Sequence, residues 1–350
     1  MNSAWQAYLR DRYAIIENNC VAHFGNLAAE RKATPHETII ADLSCFGLIQ
    51  FSGNDARDFL QNQLTCDLRE TNVQTAQHGA YCSPKGRILA NFTLWRQHDH
   101  FLMQLPSSIV DGIQKRLSMY VLRAEVQLAV VNDAWVQIGL AGANASAIIE
   151  KISSTSCADQ QPMSIITHDQ TQIIMRSPHQ FMLITPVEHA PLLWEQLNSH
   201  SKPAGTSCWE WLTIQAGIPI ILAPTQETFI PQMINLDKIG GVSFKKGCYP
   251  GQEIVARTQY LGKLKRHMIL AHIDTAEMVK PGDLLYSTDM ADQSCGDIVN
   301  AAPAPAGGVD ALAVIQQSCM DTGAIHWQSS HGPILIIKRL AYLDPPTMQQ

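Results

Sequence analysis

From Ile88 onward apolar and polar residues alternate, with Ile88, Ala90, Phe92 and Leu94 on one face and Asn91, Thr93 and Trp95 on the other. A period of two predicts a β-strand. Gln97-His98-Asp99-His100 closes a hairpin, and Phe101, Met103 and Leu105 carry the inner face onward. Just upstream, residues 79–82 read as a strand and Ser83-Pro84-Lys85-Gly86 as a turn. Residues 38–51 give one or two short strands. After Ser52-Gly53-Asn54, Ala56, Phe59, Leu60 and Leu64 recur at helical spacing. Ser107 or Ser108 is expected to cap a helix carrying Ile109, Ile113, Leu117 and Tyr120, with a strand at 126–131 behind it.

The same order then recurs. Residues 136–140 predict a strand, 143–152 a helix, and 165–167, 172–175 and 181–184 short strands. Thr185-Pro186-Val187-Glu188 has the form of a capping box, opening a helix through Leu197. The fold class expected is α+β: two tandem ferredoxin-like (split βαβ) units, argued from element order alone because no sequence repeat accompanies it. An apolar helix at 209–218 follows, ended by Gly217 and Pro219. After about residue 265 short apolar runs alternate with turn clusters such as Lys280-Pro281-Gly282-Asp283, the texture of a small C-terminal β-barrel. The expected division is a helical N-terminal extension at 1–37, α+β units at 38–131 and 132–262 that are free to interdigitate, and a barrel at 263–345.

Composition adds little: 350 residues, 46% hydrophobic and 16% charged, suit two or three globular domains. No apolar run has bilayer length, and the first 30 residues lack the pattern of a signal peptide. The 9 cysteines are widely spaced without a C-x-x-C, which argues against a disulfide framework, a zinc site or an iron–sulfur cage closed by this chain alone. A cytoplasmic, reducing location and no metal are the expectation. A net charge of −6 argues against direct nucleic-acid binding. Residues 242–270 nevertheless hold Lys245, Lys246, Arg257, Lys263, Lys265 and Arg266 against Glu253 alone, a local +5. Such an island suggests a site for a small anion; a solvated turn region is the alternative.

The densest chemistry lies in Lys246-Gly247-Cys248-Tyr249-Pro250-Gly251-Gln252-Glu253. A cysteine near a helix N-terminus with cations beside it is expected to gain thiolate character. A buried cysteine in a tight turn is the competing account. His98 and His100 have no third ligand nearby in sequence, so an exposed turn is expected there rather than metal. Asp67 reads as a catalytic carboxylate or as a helix terminator. Of Trp209 and Trp211, one is expected in the core and the other against a pocket. No P-loop, G-x-G-x-x-G, G-x-S-x-G or H-E-x-x-H occurs.

At Lys246–Glu253 the chain resembles the YgfZ-type folate-binding proteins, whose signature is K-G-C-[aromatic]-x-G-Q-E. Ile230-Pro231-Gln232, Asn235-Leu236, Gly240-Gly241-Val242-Ser243-Phe244 and Ile254-Val255-Ala256-Arg257 extend the likeness. So do Gly53-x-Asp55-Ala56, Gln63-Leu64-Thr65-x-Asp67, Lys85-Gly86-Arg87 and Gln215-Ala216-Gly217-Ile218-Pro219, so that it covers roughly residues 38 to 340. The family is related to the T-protein, the aminomethyltransferase of the glycine cleavage system. The resemblance implies three domains around a central cavity holding tetrahydrofolate. It implies support for assembly or repair of iron–sulfur enzymes, including those that thiolate tRNA, with iron–sulfur enzymes or assembly factors as partners.

Carried over by position, the resemblance implies folate contacts at Phe46, where a tryptophan is usual, and at Trp211, Gln215, Tyr249 and Arg257. Gln215 stands where relatives have a pterin-binding glutamate. The folate's glutamate carboxylates are expected to meet the basic island. Cys248 and Lys246 are the candidate catalytic residues, Lys246 depressing the thiol pKa. The T-protein's catalytic carboxylate is missing: the matching stretch ends Ala90-Asn91, which weighs against aminomethyltransferase activity. Three readings stay open: a folate-binding accessory factor, a folate-dependent one-carbon transferase or demethylase, and a non-catalytic scaffold.

Overall fold

The alternation starting at Ile88 becomes the strand Ile88–Gln97, and both of its faces are covered: only Arg96 along it escapes burial. The computed structural model describes residues 1–260, 262, 264–290 and 293–343. The fold is α+β with several sheets, and the chain divides into two units, each assembled from three separate stretches. Met1–Phe59, Arg69–Gln77 and Thr93–Trp209 form the first; Leu60–Leu68, His78–Phe92 and Glu210–Gln350 form the second. The boundary falls inside the strand Ile88–Gln97.

In the first unit a six-stranded sheet runs in the spatial order Ile165–His168, Thr171–Ser177, Gln180–Pro186, Trp135–Ala141, Ile39–Asp42 and Lys202–Pro203. Its pairs are antiparallel except the last. Ile138, Leu140, Phe181 and Leu183 pack with Ile149 and Trp194 from the helices Ala145–Ser153 and Ala190–Asn198. The first unit also holds an antiparallel run of Gln127–Val130, Phe46–Ser52 and His100–Pro106, the last pairing with residues 93–97.

Three local expectations are corrected. The N-terminal extension is not purely helical: between the helices Ser3–Arg10 and Leu27–Ala33 lies a hairpin, Ile15–Glu17 with Cys20–His23. It is docked, with Trp5, Leu9 and Val21 in the core and the Trp5 indole donating to Asp42 at 2.7 Å. Burying one tryptophan and one leucine contributes on the order of 4 kcal/mol. The helix Ser107–Ser118 has Pro106 at its N-cap and no side-chain cap bond, so neither Ser107 nor Ser108 caps it. Thr185 and Pro186 opposite Val136 and Trp135 are strand, and the Thr185 hydroxyl accepts from Thr171. The helix starts instead at Ala190, with Pro191 in its first turn. Sheet pairing outcompetes the local capping box there.

In the second unit a six-stranded sheet runs Ile325–Trp327, Leu284–Ser287, Ser294–Pro303, Val309–Gln316, Arg266–Ile273 and Leu335–Lys338. Its edges meet at an antiparallel bridge between His326 and Ile334, which curls the sheet into a barrel-like form. The period of two sorts its residues. Ile269, Ala271, Ala313 and Ile315 line one core with Leu285 and Trp327, while Met268, Leu270, Leu312 and Val314 join Ile214, Phe229 and Ile234 in another. The outer bounds expected for this barrel, residues 263 and 345, lie outside the described residues. No helix among the described residues is long and apolar enough to cross a membrane.

Candidate functional site

The Lys-Gly-Cys turn is seated in the second unit on a segment 180 residues upstream. Lys246 is 5% exposed, and its ammonium donates to the carbonyls of Leu64 (2.6 Å) and Cys66 (2.8 Å). Between those two, the Thr65 hydroxyl donates to the Gly241 carbonyl (2.6 Å) and its own carbonyl accepts from the Ser243 amide (2.9 Å). Two stretches that carry the family likeness, 63–67 and 240–246, are thus one structural joint. The Lys246 ammonium also lies 5.4 Å from the centre of the buried Tyr249 ring. Burial pushes the Tyr249 phenol up, helped by the nearby Cys82 thiol.

Beyond the turn, Gly251 has φ +81°, and a Cβ there would lie 2.5 Å from the Ser83 carbonyl oxygen. Only glycine lets the two turns pack back to back and start the helix Gln252–Tyr260 at this point. The Gln252 amide reaches back to the Lys246 carbonyl at 3.4 Å. Cys248 sits on this anchored loop, and it is the one exposed thiol among the chain's cysteines. It lines an open pocket of ≈ 420 Å³ with Pro84, Tyr249, Gly251, Gln252, Glu253 and Ala256.

The helix Thr206–Gln215 carries the second cluster. Trp209 is core, while Trp211 and Gln215 are half-buried. The Trp211 indole donates to Asp310 Oδ2 at 2.8 Å and the Gln215 amide to the same oxygen at 2.9 Å. Asp310 Oδ1 accepts from His272 Nδ1 at 2.8 Å and from Lys338 Nζ at 2.9 Å. Burial pushes the Asp310 carboxyl up, but the bonds from Lys338, Trp211 and His272 outweigh that and hold it below the usual range. On the same helix Glu210 has no hydrogen-bond partner among the described residues, and burial alone pushes its carboxyl up to about 7.

Asn91, where a T-protein carboxylate is expected, clamps the main chain: its amide donates to the Pro219 carbonyl and accepts from the Ile221 amide, both at 2.7 Å. Asn300 does the same to Ile220 from the other side, both bonds at 2.8 Å. Asp67 is buried and accepts from Gln61 at 3.1 Å. Phe46 belongs to the first unit, where it is half-buried and its carbonyl accepts from Gln137 at 3.1 Å.

The basic island is thinner than its sequence. Lys246 is turned inward and Arg266 pairs with Asp297 at 3.3 Å. Lys263 lies outside the described residues, which leaves Lys245, Arg257 and Lys265 as exposed cations. No group of three or more His, Cys, Asp or Glu among the described residues could hold a metal. Asp310, His272 and Lys338 were not legible as site residues. They lie in strands read only as barrel, at least 57 residues from the helix whose Trp211 and Gln215 bond to Asp310.

The GCVT N-terminal domain family matches residues 13–246. A solved structure, the glycine cleavage system aminomethyltransferase T from Bartonella henselae, shares the fold. Its TM-score is 0.76 over 97% of this chain and 96% of that one, at 14% identity. Fold and family match define a protein of the GCVT class. Among curated relatives, the tRNA-modifying protein YgfZ of Colwellia psychrerythraea is 30% identical over 299 residues, 81% of this chain and 90% of the relative. Its namesake from Cronobacter sakazakii is 32% identical over 245 residues, 70% of this chain and 74% of the relative. The chain belongs to the YgfZ family.

Proposed function

We propose that the chain is a tetrahydrofolate-binding accessory protein that supports assembly or repair of iron–sulfur enzymes, including tRNA-thiolating ones, with Cys248 as its key residue. The observation that carries this reading is the contrast at the Lys-Gly-Cys turn. One thiol is presented to solvent on a loop fixed at Lys246 and Gly251, while the other cysteines are buried or half-buried. A reactive or sulfur-handling thiol needs that combination of access and fixed position. The residues also fit a folate. Trp211 offers a flat face for stacking, and Gln215 a polar edge. Arg257, exposed on the helix after the turn, offers a cation for a glutamate carboxylate. Bound tetrahydrofolate would supply a one-carbon carrier. Lys246 acts in this reading by holding the loop, since its ammonium donates to two main-chain carbonyls.

Asn91 speaks against a glycine-cleavage reaction. Both ends of its amide are engaged by the backbone, so no acid or base stands at the matching position. The test is complementation of a strain lacking the protein, read as tRNA thiolation, alongside folate binding by titration. Cys248→Ser is expected to fold, to bind tetrahydrofolate and to lose complementation. Full complementation would instead favour a scaffold, and turnover of a methylene donor by the unaltered protein would favour a transferase. In the same titration Arg257→Glu should weaken a polyglutamyl folate more than a monoglutamyl one; equal losses remove Arg257 from the site.

A further inference from the structure

Away from the Lys-Gly-Cys turn and the Trp211 helix, the barrel-like sheet of the second unit gathers three sulfur atoms at one end of its core. Cys295 sits at the start of the strand Ser294–Pro303, Cys319 in the short helix Gln317–Thr322, and Met290 at the end of the turn Thr288–Met290. The Cys319 thiol donates to the Met290 thioether at 3.0 Å. Cys295 is hydrogen-bonded to Cys319 in turn. Burial and the neighbouring Cys319 push the Cys295 thiol up to about 12, while the nearby Arg266 guanidinium pulls it the other way. Both cysteines are buried among Leu285, Ile298, Ile315 and Trp327. Met290 is only half-buried, which gives the group a side toward solvent.

A core cysteine is ordinarily a small inert hydrophobe. Here two thiols and a thioether meet, and soft sulfur donors of this kind select Cu(I). Zinc takes four ligands drawn from cysteine, histidine and carboxylate, and no third residue of those types among the described residues completes a site with the pair. We propose that Cys295, Cys319 and Met290 form a three-coordinate site for a soft monovalent cation, Cu(I), in the barrel-like sheet. The site is independent of the folate reading. Binding makes two copper–thiolate bonds and one copper–thioether bond; both thiol protons pass to solvent and copper stays Cu(I). The group then carries one net negative charge, with Arg266, shared with Asp297, as the cation beside it. The apolar shell keeps hard, hydrated ions out. With metal–sulfur bonds of about 2.3 Å a trigonal centre holds its sulfurs about 4 Å apart, so Met290 must draw back by about 1 Å. Its unbranched side chain, with three rotatable bonds, allows that.

The test titrates the full chain with Cu(I) without oxygen, against a chromogenic Cu(I) chelator. Every protein carries Cys248→Ser, so that the exposed thiol does not compete. This parent should bind one Cu(I), and its melting temperature should rise on binding. A partner outside the ligand shell already contributes about 10–100-fold to metal affinity, so Met290→Leu should weaken binding about tenfold or more and Cys319→Ala at least about a hundredfold. Leucine conserves the volume of methionine, so the first variant tests the ligand and not the packing. X-ray absorption should show three sulfur neighbours around copper in the parent and two in Met290→Leu. A parent that binds no Cu(I), or that binds Zn(II) as tightly, overturns the proposal. So does an affinity unchanged in Met290→Leu, and that variant decides alone if Cys319→Ala does not fold.

Discussion

The Lys-Gly-Cys turn and the Asp310 cluster each bury a charge in the second unit, and they put it to different use. At the turn, the Lys246 ammonium reaches main-chain carbonyls of Leu64 and Cys66, so what it fixes is the path of a loop. At the cluster, the Asp310 carboxylate gathers side-chain donors, so what it fixes is the direction of functional groups. The difference predicts different failures. Truncating a group that holds backbone should cost stability, whereas neutralising one that orients side chains should cost selectivity first.

The largest expected effect breaks the first half of that contrast. Lys246→Met keeps the bulk and removes the charge, leaving two buried carbonyls without their donor. At roughly 1–3 kcal/mol for each orphaned group, the loss should be about 4 kcal/mol. Urea unfolding of the two proteins measures it; a loss below about 1 kcal/mol would mean that the loop is held elsewhere. Asn91 extends the comparison, because its amide also bonds to main chain. In Asn91→Asp the carboxylate still accepts from the Ile221 amide but faces the Pro219 carbonyl acceptor to acceptor. The expected cost at neutral pH is about 2 kcal/mol, with no gain of aminomethyl transfer. Unchanged unfolding midpoints would show that the clamp is dispensable.

What the sequence made legible follows from the range of the physics involved. Period-two patterning is local, so the strand at Ile88–Gln97 and the barrel strands were readable from neighbours alone. The N-terminal hairpin was readable in principle too. Asn18 and Asn19 at its two-residue turn have φ +48° and +63°, conformations that asparagine tolerates, but strands of three and four residues gave no alternation to notice. The Lys246 motif was legible as a motif, whereas the direction of its side chain depended on carbonyls 180 and 182 residues away. Asp310 had no local signature. It sits in an apolar strand, and its importance arises only where a helix 95 to 99 residues upstream reaches it.

The smallest effect sharpens the second half of the contrast, because the helix that carries Trp211 and Gln215 also carries Glu210, a carboxylate without donors among the described residues. Asp310 is held below the usual range by its bonds, so its folded pKa is lowered; it contributes stability above its unfolded value, and that contribution is lost as pH falls. Glu210 is the reverse. Burial raises its carboxyl to about 7, so the favourable state is the protonated one, fully present below about 4.5 and lost as pH rises through about 7. Glu210→Gln keeps the shape and removes the titration. A shift from about 4.5 to about 7 is linked to about 3 kcal/mol, and solvent screening at this half-buried side chain reduces it; Glu210→Gln should match the unaltered protein near pH 4 and exceed it by about 1 kcal/mol at pH 8, with the difference growing between pH 5 and 8. Unfolding midpoints across that range decide the matter. Parallel profiles would mean that Glu210 finds a donor or water, and that the contrast between the two carboxylates is one of burial and not of partners.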